Sequence, residues 1–414
     1  MTTISTNAFS VNGKTYTPPA KPVIVICIDG SADEYLDVTA AHGRLPNISK
    51  MSRKGYRGMV RGALPSFTNV NNSSIVTGVA PVVHGICGNF FYDAQQNEEV
   101  MMNSATYLRA ETILAAAASS ERKVGVVTAK EKLRDILSHN LKGIAFSAEK
   151  ANQAKQEIHG LDNVEQIVGH TTPAIYSADA SLFVLRAGTA LIKEGLADFL
   201  YLSLTDYMQH TYAPDTEESL AFYEAMDQEI GKMLELGAVV AATADHGMNA
   251  KIKEDGSPHV LFVEDMLEAR FGSGFRVICP ITDPYVKHHG ALGSYVAVHV
   301  DDTSRLDEIK SWLAAQPGIT EVHDREAAVR LLEQPADRTG DLVVLSARDV
   351  VLGRRPQYHD LSALDGTLRS HGGRYEEMVP MVLSHPLNDM YKIKAAGDPR
   401  NFDIFDFTIN GTRI

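Results

Sequence analysis

A chain of 414 residues, 44% hydrophobic and 22% charged, is long enough for one large core with a smaller domain beside it. Its 39 Lys and Arg against 52 Asp and Glu leave a formal charge of −13, which excludes broad binding to nucleic acid or to an anionic membrane, since both need a basic face. Three cysteines (Cys27, Cys87 and Cys279), none in a C-x-x-C spacing, exclude a disulfide framework and a thiolate zinc site.

The opening stretch Met1–Thr17 is polar, with no apolar run leading to a small-residue cleavage site. It reads as an arm ahead of the fold, and a cytoplasmic setting is expected. No apolar run approaches the roughly 18 residues that a membrane span requires. Val23–Ile28 is continuously apolar and ends in Asp29-Gly30, the pattern of a strand buried on both faces. The same grammar recurs down the chain. Lys123–Thr128 follows the helix-like Glu111–Ser119. Phe199–Leu204 follows Ser181–Gly195 and runs into Thr205-Asp206. Ala238–Thr243 follows the amphipathic Glu217–Leu236 and runs into Ala244-Asp245-His246-Gly247. This alternation predicts an α/β fold with a mostly parallel sheet and helices on both faces.

From Glu264 to Thr367 the pattern changes. Tyr295–Val300 alternates like a half-exposed strand. Ser304–Ala315 is an amphipathic helix stopped by Pro317-Gly318, and a second helix, Asp324–Leu332, precedes a strand at Asp341–Ser346. Residues 264–367 are therefore expected to form a small inserted α+β cap, with residues 1–263 and 368–414 as the core. A lid over the site is the natural use of an insertion there. The strand Met378–Leu383 returns the chain to the main sheet.

In such sheets ligands gather at the carboxyl ends of the strands. Asp29, Asp206, Asp245 and His246 all fall at such ends, joined by His210 in Asp206-x-x-x-His210 and by His371 in Ser370-His371-Gly372-Gly373. Carboxylate and imidazole without thiolate suit zinc or a similar divalent metal. The set is large enough for two ions, which can clamp the attacking and leaving atoms of a displacement at phosphorus. Singly, each motif has a plainer reading: Asp245 as a helix cap, His371 as one of 15 histidines. Their shared location points to a bimetal centre. Thr68 lies in a hydroxyl- and amide-rich stretch that turns into an apolar helical start. A hydroxyl there sees backbone N–H groups and the positive end of the helix dipole, which suits an alkoxide and its phosphoryl group. N-capping by Ser66 or Thr68 explains the same residues.

The order Asp29, Thr68, Asp206-x-x-x-His210, Asp245-His246, His371 resembles the alkaline phosphatase superfamily. The closer likeness is to its nucleotide pyrophosphatase/phosphodiesterase branch, where a nucleophilic Thr is followed by Asn, Thr-Gly and His-Gly-Ile-x-Gly-Asn. Here these are Thr68, Asn71, Thr77-Gly78 and His84-Gly85-Ile86-Cys87-Gly88-Asn89. The resemblance covers about residues 22–260 and 366–414. It implies an alkaline-phosphatase-like fold with two zinc ions per chain. One would be held by Asp206, His210 and His371, the other by Asp29, Asp245 and His246 with Thr68 bound to it as nucleophile. Asn89 would donate to a phosphoryl oxygen. The chain departs from that branch at Asn69-Val70, where Phe-Pro is usual, and at Asn72, where His is usual. The metal chemistry is unaffected and the nucleotide substrate is left open.

Thr128-Ala129-Lys130-Glu131-Lys132 resembles the lysine pair of superfamily members that cleave the carbon–phosphorus bond of a small carboxylated phosphonate. Two ammonium groups would pair with such a carboxylate, although a solvated, lysine-rich helix start has the same sequence. The expected activity is hydrolysis of a small-molecule phosphonate, with Thr68, Asn89, Lys130, Lys132 and His210 at the substrate. No nucleic-acid or membrane partner is expected, and a homodimer is compatible with the sequence. The alternative is a phosphodiesterase acting on a small phosphodiester, with Phe90-Phe91-Tyr92 as a slot for a base. A non-catalytic metal scaffold is a third reading, and the hydroxyl at Thr68 argues against it.

Overall fold

The computed structural model describes residues 4–283, 289–362, 364 and 367–414. The apolar runs form strands buried along their whole length: Val23–Cys27, Val124–Thr128, Phe199–Ser203 and Val239–Thr243. Consecutive residues of a strand point to opposite faces, and the first of these runs feeds two cores accordingly. Val23, Val25 and Cys27 enter one core, while Ile24, Ile26 and Ile28 enter the other.

Among the described residues the main sheet has seven strands, in the order Tyr56–Arg61, Met378–Leu383, Val239–Thr243, Val23–Cys27, Phe199–Ser203, Val124–Thr128, Ile144–Ser147. The last five run parallel, and Met378–Leu383 is antiparallel to both its neighbours. The expected mostly parallel α/β sheet is borne out. The helices Ala178–Lys193 and Glu217–Glu235 cover one face, and Ile113–Ser119 and Ile404–Ile409 cover the other. No helix of the described residues is long and apolar enough to cross a membrane. Cys27, Cys87 and Cys279 are free and buried.

The opening segment differs from the expected arm. Phe9–Val11 and Lys14–Tyr16 form a hairpin whose turn, Asn12-Gly13, has φ of 50° and 79°. The Phe9 ring stacks on Tyr16 and meets Phe199 edge-on, so the hairpin is pinned to the core. Residues 1–3 of that stretch lie outside the described residues.

The segment 264–367, part of which lies outside the described residues, carries a four-stranded antiparallel sheet. Its order is Phe275–Ile278, Tyr295–Val300, Leu342–Ser346, Ile319–Asp324. Tyr295–Val300 is buried at all but His299, not half-exposed, because it is a central strand with both faces covered. One small pairing ties this segment to the main body, and a second joins the two stretches that flank it. Val260–Phe262 runs parallel to Val351–Gly353, and Asn249–Ala250 runs antiparallel to Arg369–Ser370. The second brings Ser370-His371 beside the loop that follows Asp245-His246.

Candidate metal centre

Parallel strands deliver the acidic residues to one edge of the sheet. Asp29 follows Val23–Cys27, Asp206 follows Phe199–Ser203, and Asp245-His246 follows Val239–Thr243. Gly30, at φ 71°, lets the first loop pass Asp206, since a Cβ there would lie 3.0 Å from the Asp206 Cβ. Asp206 precedes the single helical turn Tyr207–Thr211, which carries His210 back over it. His210 Nε2 sits 3.0 Å from Asp206 Oδ2, and His371 Nε2 sits 3.8 Å from the same oxygen. On the other side His246 Nε2 is 3.2 Å from Asp29 Oδ1 and 3.8 Å from Asp245 Oδ2. Two tight groups result, Asp206/His210/His371 and Asp29/Asp206/His246, each with ligand atoms within 4.8 Å of one another. Asp206 thus stands between the two groups, and Asp245 borders the second. Thr68 begins the helix Thr68–Thr77, and its Oγ1 lies 3.4 Å from His246 Nε2.

Each of the three histidines has its Nδ1 against a backbone carbonyl: His210 on Arg369 at 2.8 Å, His246 on Gly247 at 2.9 Å, His371 on Ser66 at 2.7 Å. A carbonyl only accepts, so Nδ1 carries a hydrogen and Nε2 is the nitrogen turned toward the carboxylates. That leaves Nε2 as the nitrogen a metal would take, oriented as outer hydrogen bonds orient ligand histidines. Asp245 is held as firmly. Its Oδ1 accepts from the backbone N–H of Gly30 (3.2 Å) and His246 (3.0 Å), and its Oδ2 accepts from Asn72 Nδ2 (3.1 Å).

The electrostatics call for cations. Burial, then Asp206 and Asp245, push the Asp29 carboxyl well above its usual range. Burial alone would depress His246, but Asp245 and Asp29 push it up to about 10. Asp206 is buried as well, yet Lys130 and His210 hold its carboxyl well below the usual range. Buried like charges are costly unless compensated, and divalent ions compensate them. Carboxylate and imidazole donors, preset at Nε2 and with no thiolate among them, fit zinc or a similar ion.

The predicted lysines lie at this site. Lys130 Nζ is 3.3 Å from Asp206 Oδ1, and Lys132 is ion-paired with Asp283. Burial and then Lys130 press the Lys132 ammonium down to about 7. Thr68, Asn89, Lys130, Lys132, Asp206 and His371 line one cavity of ≈ 30 Å³. Asn89 Oδ1 accepts from Asn69 N–H at 3.4 Å, and its Nδ2 reaches Ile281 O at 3.4 Å. Past the lysines lies a second cavity of ≈ 350 Å³, bordered by Glu149 and Tyr176.

Three residues at the site have roles the sequence did not announce: Asn72, noted there only as a departure from the family pattern, holds Asp245, and Asp283 and His289 reach the cavity from the 264–367 segment. His289 lies with its ring 5.3 Å from His210. Its Nδ1 accepts from Ala291 N–H at 3.0 Å, the reverse of His210, His246 and His371, so its Nε2 carries the hydrogen. The aromatic slot expected of Phe90-Phe91-Tyr92 is not at this cavity. Phe91 packs on Tyr107 and Arg338, and Tyr92 on His299 and Arg276.

A mostly parallel sheet that presents Asp and His side chains from its carboxyl edge, beside a threonine at a helix N-terminus, defines a hydrolase of the alkaline phosphatase superfamily. The chain belongs to the type I phosphodiesterase/nucleotide pyrophosphatase family, whose model matches residues 23–374. It is 43% identical to phosphonoacetate hydrolase from Sinorhizobium meliloti 1021, with a TM-score of 0.94 over 98% of this chain and 99% of that one. That enzyme's structures hold phosphonoformate and phosphonoacetate. Murine ectonucleotide pyrophosphatase/phosphodiesterase 5 shares the fold, with a TM-score of 0.62 at 16% identity over 95% of this chain and 96% of that one. Human ectonucleotide pyrophosphatase/phosphodiesterase family member 1 is 38% identical over 84 residues, which are 20% of this chain and 9% of that protein.

Proposed function

We propose that the chain hydrolyses the carbon–phosphorus bond of phosphonoacetate to acetate and phosphate. The observation that carries this reading is the pair Lys130 and Lys132, set at the rim of a buried Asp/His cluster that also holds Thr68. The likeness over nearly the full chain to an enzyme of that name supports it.

Asp206, His210 and His371 would hold one zinc and Asp29, Asp245 and His246 the other. Bound there, the ions would supply positive charge that lowers the pKa of the Thr68 hydroxyl and steadies the charge on the phosphonyl oxygens. The helix Thr68–Thr77 adds its positive end at the same place. Thr68 Oγ bonds to phosphorus as the carbon–phosphorus bond breaks, and the released electron pair moves into the substrate carboxylate. Lys130 and Lys132 meet that charge, which makes departure of a carbon group feasible. The carbon takes up a proton from water, matching the one Thr68 gives up to solvent, and leaves as acetate. The Asn89 amide donates to a phosphonyl oxygen throughout. Water then displaces Thr68 from phosphorus, which frees phosphate and restores the hydroxyl. Residues 264–367 act as the cap, with Asp283 and His289 closing one side of the cavity. Three free, buried cysteines fit a reducing cytoplasmic setting.

A second reading, hydrolysis of a small phosphodiester, is favoured by Tyr176, which borders the outer cavity beside Lys130 and could stack a base. The deciding experiment strips the protein with a chelator, restores zinc, and assays phosphonoacetate beside a nitrophenyl phosphodiester. Zinc-dependent release of acetate and phosphate in equal amounts is expected, with close to two ions bound per chain. Turnover of the diester alone would give the second reading the lead. Full activity in the stripped protein would remove the metal centre.

A further inference from the structure

Lys251 has no solvent exposure, and neither does Glu376. An ammonium in such a place is costly unless its protons are taken up. Lys251 Nζ donates to Glu376 Oε1 at 2.9 Å, to Ser294 Oγ at 2.7 Å and to Arg348 O at 2.7 Å. Glu376 is equally saturated. Its Oε1 also accepts from Asn249 Nδ2 at 2.6 Å, and its Oε2 accepts from Gly373 N–H at 3.1 Å.

The pair joins three parts of the chain. Asn249 and Lys251 follow the Asp245-His246 loop, Gly373 and Glu376 follow His371, and Ser294 and Arg348 belong to the 264–367 segment. Backbone bonds run the same way, from Gly247 N–H to Glu376 O at 2.8 Å and from Ser294 N–H to His371 O at 2.9 Å. Well-packed apolar residues often serve cohesion as well as a buried ion pair does, so cohesion alone does not account for two enclosed charges.

We infer that Lys251 and Glu376 are positioning residues for the metal centre: their ion pair sets the loop of His246 against the loop of His371 and keys both to the 264–367 sheet. The inference rests on the metal-centre reading above. Neither residue lines the cavity.

The test compares the full-length parent with Lys251→Met, Glu376→Gln and the double variant Lys251→Met/Glu376→Leu. Thermal stability of the metal-free proteins is measured, and zinc affinity is read by competition with a chromogenic chelator. Lys251→Met strands a buried carboxylate and should lower both. The double variant removes both charges and should regain stability, yet bind zinc about 10–100-fold more weakly than the parent, because Gly373 N–H has lost its acceptor and Asn249 keeps only Tyr375 O. Zinc affinity that recovers together with stability would overturn the inference by showing a purely structural pair. Should the double variant not fold, Glu376→Gln decides, since it keeps the shape while putting a donor where an acceptor is needed. Reduced zinc affinity there upholds the inference, and parental affinity overturns it. A parent that binds no zinc would instead overturn the metal-centre reading itself.

Discussion

Asn72 donates its amide to Asp245 Oδ2 at 3.1 Å while its own Oδ1 accepts from Tyr201 Oη at 2.8 Å and Ser203 Oγ at 2.9 Å. Two hydroxyl donors claim the oxygen, so the NH₂ must face the carboxylate. The side chain thereby aims Asp245 while bonded to the neighbouring strand Phe199–Ser203. Asn72→Ala should keep the fold and weaken zinc binding about 10–100-fold, as loss of an outer hydrogen bond to a ligand does. Asn72→Asp should do worse, because it sets another carboxylate against Asp245. Chelator competition reads both, and parental affinity in Asn72→Asp would remove Asn72 from the centre.

Thr68 stands at the first position of its helix, 3.4 Å from His246 Nε2. Thr68→Ala should retain both ions and lose kcat on the order of 10³-fold or more, as removal of a nucleophile does. Thr68→Ser keeps the hydroxyl and should retain part of the rate. A near-parental rate in Thr68→Ala would make a water molecule the nucleophile.

A pH effect on stability is expected away from the candidate metal centre. Burial holds the His84 imidazole down at about 3. Ile86 N–H donates to its Nδ1 at 3.1 Å, and its Nε2 lies 2.8 Å from Ser74 Oγ. In the unfolded chain the group titrates near its ordinary value of about 6.5. Below that pH the unfolded state binds a proton that the folded state refuses. Stability should therefore fall as pH drops from about 6.5 toward 3, by about 1.4 kcal/mol per pH unit. Urea unfolding of the metal-free parent and of His84→Gln at pH 7 and pH 5 isolates this contribution. The parent should lose about 2 kcal/mol more than the variant over that interval. Equal losses would mean that His84 is protonated in the fold.

The parts legible in the sequence are those with a local cause. Val23–Cys27, Phe199–Ser203 and Val239–Thr243 are buried throughout and mostly apolar because helices cover both faces, and the charged residues beyond them stand out for that reason. The Phe9–Tyr16 hairpin had a local signal too, in Asn12-Gly13, but it lay in a polar stretch that resembled a free arm. The edge strand Tyr56–Arg61 is broken by Arg57 and Gly58 and only partly buried, so its composition does not announce a strand. Tyr295–Val300 alternates in sequence, yet its central place in the smaller sheet buries it. At the site, Asp29, Asp206, Asp245 and the histidines follow from their place after strands. Asn72, Asp283 and His289 do not, since their roles arise only when distant segments meet. Lys251 and Glu376, 125 residues apart, are the clearest case.

On the proposed reading, Lys130 and Lys132 would set substrate choice. Lys130→Ala and Lys132→Ala would each remove a proposed counter-charge from the carboxylate of phosphonoacetate. A lost charge-assisted hydrogen bond is worth about 1.5–3 kcal/mol, or tenfold to hundredfold in rate. The decisive measurement is kcat/KM of the parent and both variants on phosphonoacetate and on a nitrophenyl phosphodiester, in zinc-saturated protein. Each variant should lose at least tenfold on phosphonoacetate, in kcat as well as KM, and turn over the diester almost as the parent does. Equal losses on both substrates, or parental turnover of phosphonoacetate, would contradict the assignment.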